Sequence, residues 1–167
     1  MLFRSRVVVS DPCYELPTWC QVVLNDVLQG EYVVDVKKEN WSGWGDRCSK
    51  VSVIHKDYVN KKLGWRIESG NIGVDSGQCG IFSFESYRND NHNVPLGEGD
   101  ISFFGESMNE EGDKWYEKMC SYTLGKKSWG TYDEGVVSSS GIGDGVYRMY
   151  IKKNKEGKIV GIKVDFS

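Results

Sequence analysis

Long hydrophobic runs and proline are scarce in this chain of 167 residues, which has three prolines. The longest apolar run near its start is three valines at positions 7–9, far short of the roughly 18 residues that a membrane-spanning helix needs. The first residues also lack the basic segment followed by an apolar one that is typical of a secretion signal. We therefore predict a soluble protein that does not bind membranes.

Histidine and positive charge are also limited. His55 and His92 are the two histidines, and no pair among the five cysteines has C-x-x-C spacing, so a zinc site of closely spaced ligands lacks support and we predict no metal or cofactor. An odd cysteine count favours a reducing compartment, hence the cytoplasm. Because 21 Lys and Arg stand against 24 Asp and Glu, a net charge of −3, we predict no binding of duplex nucleic acid.

The 20 glycines divide the chain into short segments in which apolar and polar residues alternate. We predict a single β-rich domain over residues 1–167, all-β or β-dominated α+β. Its architecture is a sandwich or partly open barrel of about nine to eleven mostly antiparallel strands with one packed helix. A homo-oligomer is compatible with this pattern.

Local patterns add detail to this fold. Residues 146–152 and 159–166 form the clearest hairpin, with apolar residues on one face and Lys163 and Asp165 on the other. Residues 115, 119 and 122 recur at helical spacing, and the cost of Gly112 in a first turn predicts a helix that begins near residue 113. Two short strands are expected within residues 65–74.

Three strand-end segments combine turn-forming residues with side-chain oxygens: residues 10–14 (SDPCY), 75–80 (DSGQCG) and 138–145 (SSSGIGDG). In the third, alternate glycines permit positive φ angles, which can turn successive N–H groups inward as a nest for an anion. A strand rather than a helix is expected after it, so neither a dinucleotide fingerprint nor a Walker loop is indicated. We predict contacts to a small polar ligand from Asp11, Asp75, Ser76, Gln78, Ser138, Ser139, Ser140, Gly143, Asp144 and Trp44.

Other interpretations of the same segments remain open. Asp11, Asp75 and Asp144 could converge as general acids or bases, or as ligands of a divalent ion, in a hydrolase. Cys13 and Cys79 lie in the turns but have no obvious histidine partner. Trp44 belongs to an aromatic turn at residues 41–47 that could stack on a planar ligand, cover a sheet edge or contact a protein partner.

The three segments together resemble an uncharacterised family of bacterial and bacteriophage proteins known only as a domain of unknown function. The resemblance extends over nearly the whole chain and implies one domain in a bacterial cell or a phage-infected host. Members more usually carry Ala or Val at the position of Cys79, which argues against a nucleophilic thiol there. No activity comes with the resemblance.

From these patterns we predict a non-enzymatic binding protein for a small polar ligand, which could bear phosphate and could be a nucleotide. In a phage setting its role would be to sequester a host nucleotide signal. The alternatives are the carboxylate-dependent or metal-assisted hydrolase and a protein-interaction module of the immunity or inhibitor type.

Overall fold

The computed structural model describes residues 1–107 and 110–167. This part of the chain contains eleven strands, one α-helix and two 3₁₀ segments, Lys56–Tyr58 and Ser102–Ser107. The strands and the helix are β1 (Leu2–Phe3), β2 (Val7–Ser10), β3 (Val22–Leu24), β4 (Gly30–Trp41), β5 (Gly45–His55), β6 (Arg66–Val74), β7 (Gln78–Ser83), α1 (Asp113–Thr123), β8 (Trp129–Tyr132), β9 (Gly135–Ser139), β10 (Gly145–Lys153) and β11 (Ile159–Asp165). The predicted β-dominated fold class is confirmed.

The strands form two antiparallel sheets. The first is a curled half-barrel with six strands in the order β1-β4-β5-β11-β10-β6, and the second has five in the order β3-β2-β7-β9-β8. β10 and β11 are paired as the predicted hairpin, with Met149 opposite Val164 and Ile151 opposite Ile162.

The central strands of the second sheet, β2, β7 and β9, are buried on both faces. In β2, Val7 and Val9 pack into the core between the two sheets, whereas Val8 points to the other side, where it packs with Phe82 and the helix residue Trp115. A strand covered on both faces has no wet side, and this explains why its sequence is a continuous apolar run. The first sheet has one exposed face, so its strands alternate instead.

The helix α1 packs against β8 and β9 on the far side of the second sheet. It begins at Asp113, directly after Gly112, and the Trp115 and Met119 side chains are buried as the predicted stripe requires. Among residues 1–107 and 110–167, no helix is long and apolar enough to cross a bilayer.

One detail of the prediction was wrong. The structure has one strand, β6, where we expected two short ones within residues 65–74. Its pairing with β10 shifts register between Arg148 and Tyr150, and Gly70 adopts a φ of 111° beside this shift. The extra residues of β6 are therefore accommodated as a bulge, after which pairing resumes instead of ending.

Candidate functional site

The carboxylate of Asp11 joins the first two motif segments. Asp11 is fully buried, and its Oδ2 accepts hydrogen bonds from the backbone N–H groups of Asp75 (2.9 Å) and Ser76 (2.7 Å). Its Oδ1 accepts from the Cys13 N–H (2.8 Å) and the Ser76 hydroxyl (2.6 Å). Four donors occupy the roughly four lone-pair positions of a carboxylate, so Asp11 is a structural link between the segments.

Tyrosine hydroxyls add a second layer to this link. Tyr14 donates to the exposed carboxylate of Asp75, which again connects the first segment to the second. Tyr87, largely buried, donates to the backbone oxygens of Tyr14 (2.6 Å) and Asp11 (3.0 Å). The first segment is thus held along its whole length by groups distant in sequence.

Backbone pairing brings the third segment to the second. Gln78 pairs with Ser139 between β7 and β9, and the Ser140 N–H donates to the Gly77 carbonyl at 3.0 Å. Gly145 pairs with Val74 between β10 and β6. All three predicted segments therefore meet at one end of the sandwich.

Ser140 and Gly143 of the third segment are hydrogen-bonded to each other within the loop. The Ser140 hydroxyl donates to the Gly143 carbonyl and the Gly143 N–H donates to the Ser140 carbonyl, both at 2.8 Å. Tyr147 adds its hydroxyl to the Gly143 carbonyl at 2.6 Å. An anion nest built from these donors would have to break the bonds that they already make, so a ligand role for Ser140 and Gly143 stays a prediction.

The remaining predicted contacts divide into inward and outward groups. Gln78 points inward, where its Oε1 accepts from Thr123 at 2.8 Å and its Nε2 lies 3.3 Å from the Cys120 sulfur, tying the junction to α1. The Ser138 side chain is buried and donates to the Ser139 carbonyl. Asp144 is exposed and makes no hydrogen bond or ion pair within the described residues.

Trp44 lies at the tip of the β4–β5 hairpin, with 59% of its surface exposed. Its neighbour Trp41, not Trp44, reaches the third segment, because the Trp41 indole covers Gly141. A Cβ atom on Gly141 would be 2.9 Å from that ring, and the φ of Gly141 is 55°. The aromatic turn therefore supports the junction through Trp41.

The thiols at the junction are poor nucleophiles. Burial, together with the negative charge of Asp11, raises the pKa of Cys13 well above its ordinary range, and the same two causes raise the pKa of the fully buried Cys79. Both groups remain protonated at neutral pH, whereas the thiolate is the reactive form. Within the described residues, no group of three or more His, Cys, Asp or Glu side chains is placed to hold a metal ion.

Comparison with known proteins adds no assignment. No family model, curated protein or solved structure matches this chain.

A cleft of about 360 Å³ borders the third segment on the exposed face of the first sheet. It is lined by Val146, Tyr147, Arg148, Tyr150, Asp165 and Ser167. Arg148 is exposed and makes no ion pair or hydrogen bond with any part of the chain that the structure describes. Asp165, across the strand pair, accepts from the Ser167 N–H (3.1 Å) and hydroxyl (2.6 Å).

Asp165 carries its charge despite partial burial. Burial works against ionisation, but the hydrogen bonds from Ser167 and the nearby Lys50 and Lys163 lower the pKa of its carboxyl below the ordinary range. The cleft therefore offers a cation and an anion on adjacent strands. Arg148 and Tyr150 are not among the ligand contacts predicted from the sequence, although their outward position in the alternating hairpin indicates that they are accessible.

Proposed function

We propose that this protein binds a small phosphate-bearing ligand, such as a nucleotide, without turning it over. The observation that carries the proposal is the exposed guanidinium of Arg148 in the cleft beside the third segment, which has no ion pair or hydrogen bond to residues 1–107 or 110–167. A guanidinium matches the oxygens of a phosphate in a bidentate manner, which makes arginine a favoured phosphate partner.

The surrounding groups suit the rest of a nucleotide. The Lys163 amine lies 4.2 Å from the centre of the Tyr150 ring, and a ligand phosphate that draws this amine away would open the ring to a planar base. The Asp165 carboxylate can accept from a ribose hydroxyl or a base amine. The motif segments would hold one wall of this cleft in place, since Tyr147 lines the cleft and its hydroxyl donates a hydrogen bond to the Gly143 carbonyl of the third segment. Such a fixed wall reduces the entropy lost on binding.

In the bacterial or phage setting that the resemblance implies, the role would be to sequester a nucleotide signal. A hydrolase based on Asp11 is less compatible with the geometry, because the Asp11 carboxylate is saturated with protein donors. A protein-interaction module is the second candidate, favoured by the exposed indoles of Trp19 (91%) and Trp44 (59%).

Native mass spectrometry with a panel of cyclic and linear nucleotides tests the proposal. We expect an adduct that disappears on denaturation and whose ligand mass does not change during incubation. The Arg148→Gln variant should bind the same ligand about tenfold or more weakly. Arg4→Gln is the matched control, since Arg4 is exposed next to β1, at the opposite edge of the first sheet. An absence of adducts across the panel, or equal affinity of the two variants, would overturn the proposal.

A further inference from the structure

The exposed face of the first sheet carries a set of side chains that strand pairing places in rows. One row runs across four strands: Lys37, Lys50, Asp165 and Arg148. The next row contains Asp35, Ser52, Lys163 and Tyr150. Beside them, Lys152 of β10 lies on the same face, with Trp65 just before β6. We call these residues the outer basic face.

This face is positively charged although the whole chain is not. Its five cations are Lys37, Lys50, Arg148, Lys152 and Lys163, and the carboxylates on or beside it are Asp35, Asp165 and Glu39, the last of which forms an ion pair with Lys37. The local balance of 5 − 3, or +2, is opposite in sign to the −3 of the full sequence. A concentration of positive charge on one face of a protein attracts a negatively charged partner.

Two aromatic rings lie among the amines. The Nζ atoms of Lys152 and Lys163 are 4.6 Å and 4.9 Å from the centroid of the Trp65 ring, and Lys163 is also 4.2 Å from the Tyr150 ring. The rings hold the ammonium groups close together by cation–π attraction. Burial and the charges of Lys50 and Lys152 lower the pKa of Lys163, and a bound anion would relieve that repulsion.

The extent of the face indicates the size of its partner. Arg148 and Lys152 are four residues apart on the same face of β10, or about 13 Å. One phosphate cannot contact cations across this distance, so the partner must carry several anionic groups in sequence. Phosphates that bind the Lys152 and Lys163 amines would draw them off the Trp65 and Tyr150 rings, and an acidic peptide supplies no planar group to take their place.

Unpaired bases supply such planar groups. In a duplex the bases are already stacked on one another, whereas single-stranded nucleic acid can place them on protein aromatic rings while its phosphates contact Lys and Arg. We propose that the outer basic face binds a short single-stranded oligonucleotide, with one phosphate in the Arg148 cleft and others at Lys152 and Lys163. This inference rests on the proposed function and extends its ligand from a nucleotide to an oligonucleotide.

Fluorescence anisotropy with labelled oligo-dT and oligo-U of two, four, eight and twelve nucleotides tests the inference. We expect affinity to rise with length and to level off within the range of about 4–16 nucleotides that is typical of single-strand sites. The double variant Lys152→Gln/Lys163→Gln should bind the longer oligonucleotides about 25-fold more weakly in 0.1 M salt. The reason is that each lost phosphate contact lowers the logarithm of the binding constant by about 0.7 at this salt concentration. Its salt slope should fall by about 1.4.

The control Lys114→Gln/Lys126→Gln has the same change in charge. Both lysines are exposed on or just after α1, on the opposite side of the sandwich from the outer basic face, so we expect the control to bind as the wild type does. Thermal unfolding should show that both double variants remain folded.

The outcomes separate the two proposals. Mononucleotide binding that depends on Arg148, without a gain in affinity with length or with equal binding by the two double variants, would overturn the oligonucleotide inference alone. A failure of every nucleotide and oligonucleotide to bind would overturn both. Equally tight binding of polyglutamate would overturn the inference in favour of an acidic protein partner.

Discussion

Replacement of Asp11 by Asn tests whether its carboxylate links the first two motif segments. If the Asn oxygen keeps the two bonds from the Asp75 and Ser76 N–H groups, its amide nitrogen must face the Cys13 N–H and the Ser76 hydroxyl. The Ser76 hydroxyl can rotate and accept, but the Cys13 N–H loses its acceptor. The substitution therefore replaces an acceptor by a donor inside a buried site.

The expected cost follows from these bonds. A hydrogen bond to a charged group contributes about 1.5–3 kcal/mol, and two such bonds are lost or reversed, so the free energy of unfolding should fall by about 3–6 kcal/mol. For a chain of this size that corresponds to a decrease in Tm of about 6–24 °C. The free energy of unfolding of a typical domain is about 5–15 kcal/mol, so the variant should be folded but measurably less stable.

Urea unfolding at pH 7, followed by tryptophan fluorescence, measures the effect. Asp144→Asn is the matched control, because Asp144 is exposed and should tolerate the same change within about 0.5 kcal/mol. Should the Asp11 variant fail to fold, Ser76→Ala removes one bond to the carboxylate and should cost about 1–3 kcal/mol. A loss below about 1 kcal/mol in both variants, indistinguishable from the control, would refute the structural role of Asp11.

Three further predictions concern the same end of the molecule. Gly141→Ala should destabilise by about 2–3 kcal/mol in thermal unfolding, because φ is 55° and the new Cβ would meet the Trp41 ring; an unchanged Tm would contradict this. Tyr87→Phe removes the hydroxyl bond to the Tyr14 carbonyl and should cost about 1–2 kcal/mol in urea, whereas an unaffected midpoint would count against this bond. The raised pKa of Cys79 means that the folded protein keeps a proton that the unfolded chain releases above pH 9.0, so stability is complete below that pH and falls as pH rises. Between about pH 9.5 and 11, Cys79→Ala should make the fall shallower by about 1.4 kcal/mol per pH unit, and identical slopes would disprove the assignment.

Much of the fold could be predicted from local patterns. The alternation along residues 159–166 predicted which face of β11 is buried, since side chains in a strand alternate between faces whatever the neighbours are. The spacing of Trp115 and Met119 predicted the buried side of α1, since residues four positions apart lie on the same face of a helix. The bulge in β6 could not be predicted, because it depends on the register of pairing with β10.

Sequence alone determined that three turn segments lie at strand ends, because their glycines, serines and aspartates follow or precede apolar runs. Only the tertiary structure decided what they do. Asp11 accepts a hydrogen bond from Ser76, which is 65 positions away in the sequence. Because of this long-range bond, a residue that we predicted to contact a ligand is instead a buried link between two segments. The outer basic face likewise assembles from β4, β5, β10 and β11, whose cations are dispersed along the chain and become neighbours only when the strands pair. Hydrogen-bond partners and surface charge depend on which distant segments come together, and local sequence patterns, which predicted the β10–β11 hairpin, did not predict the pairing of segments far apart in the chain.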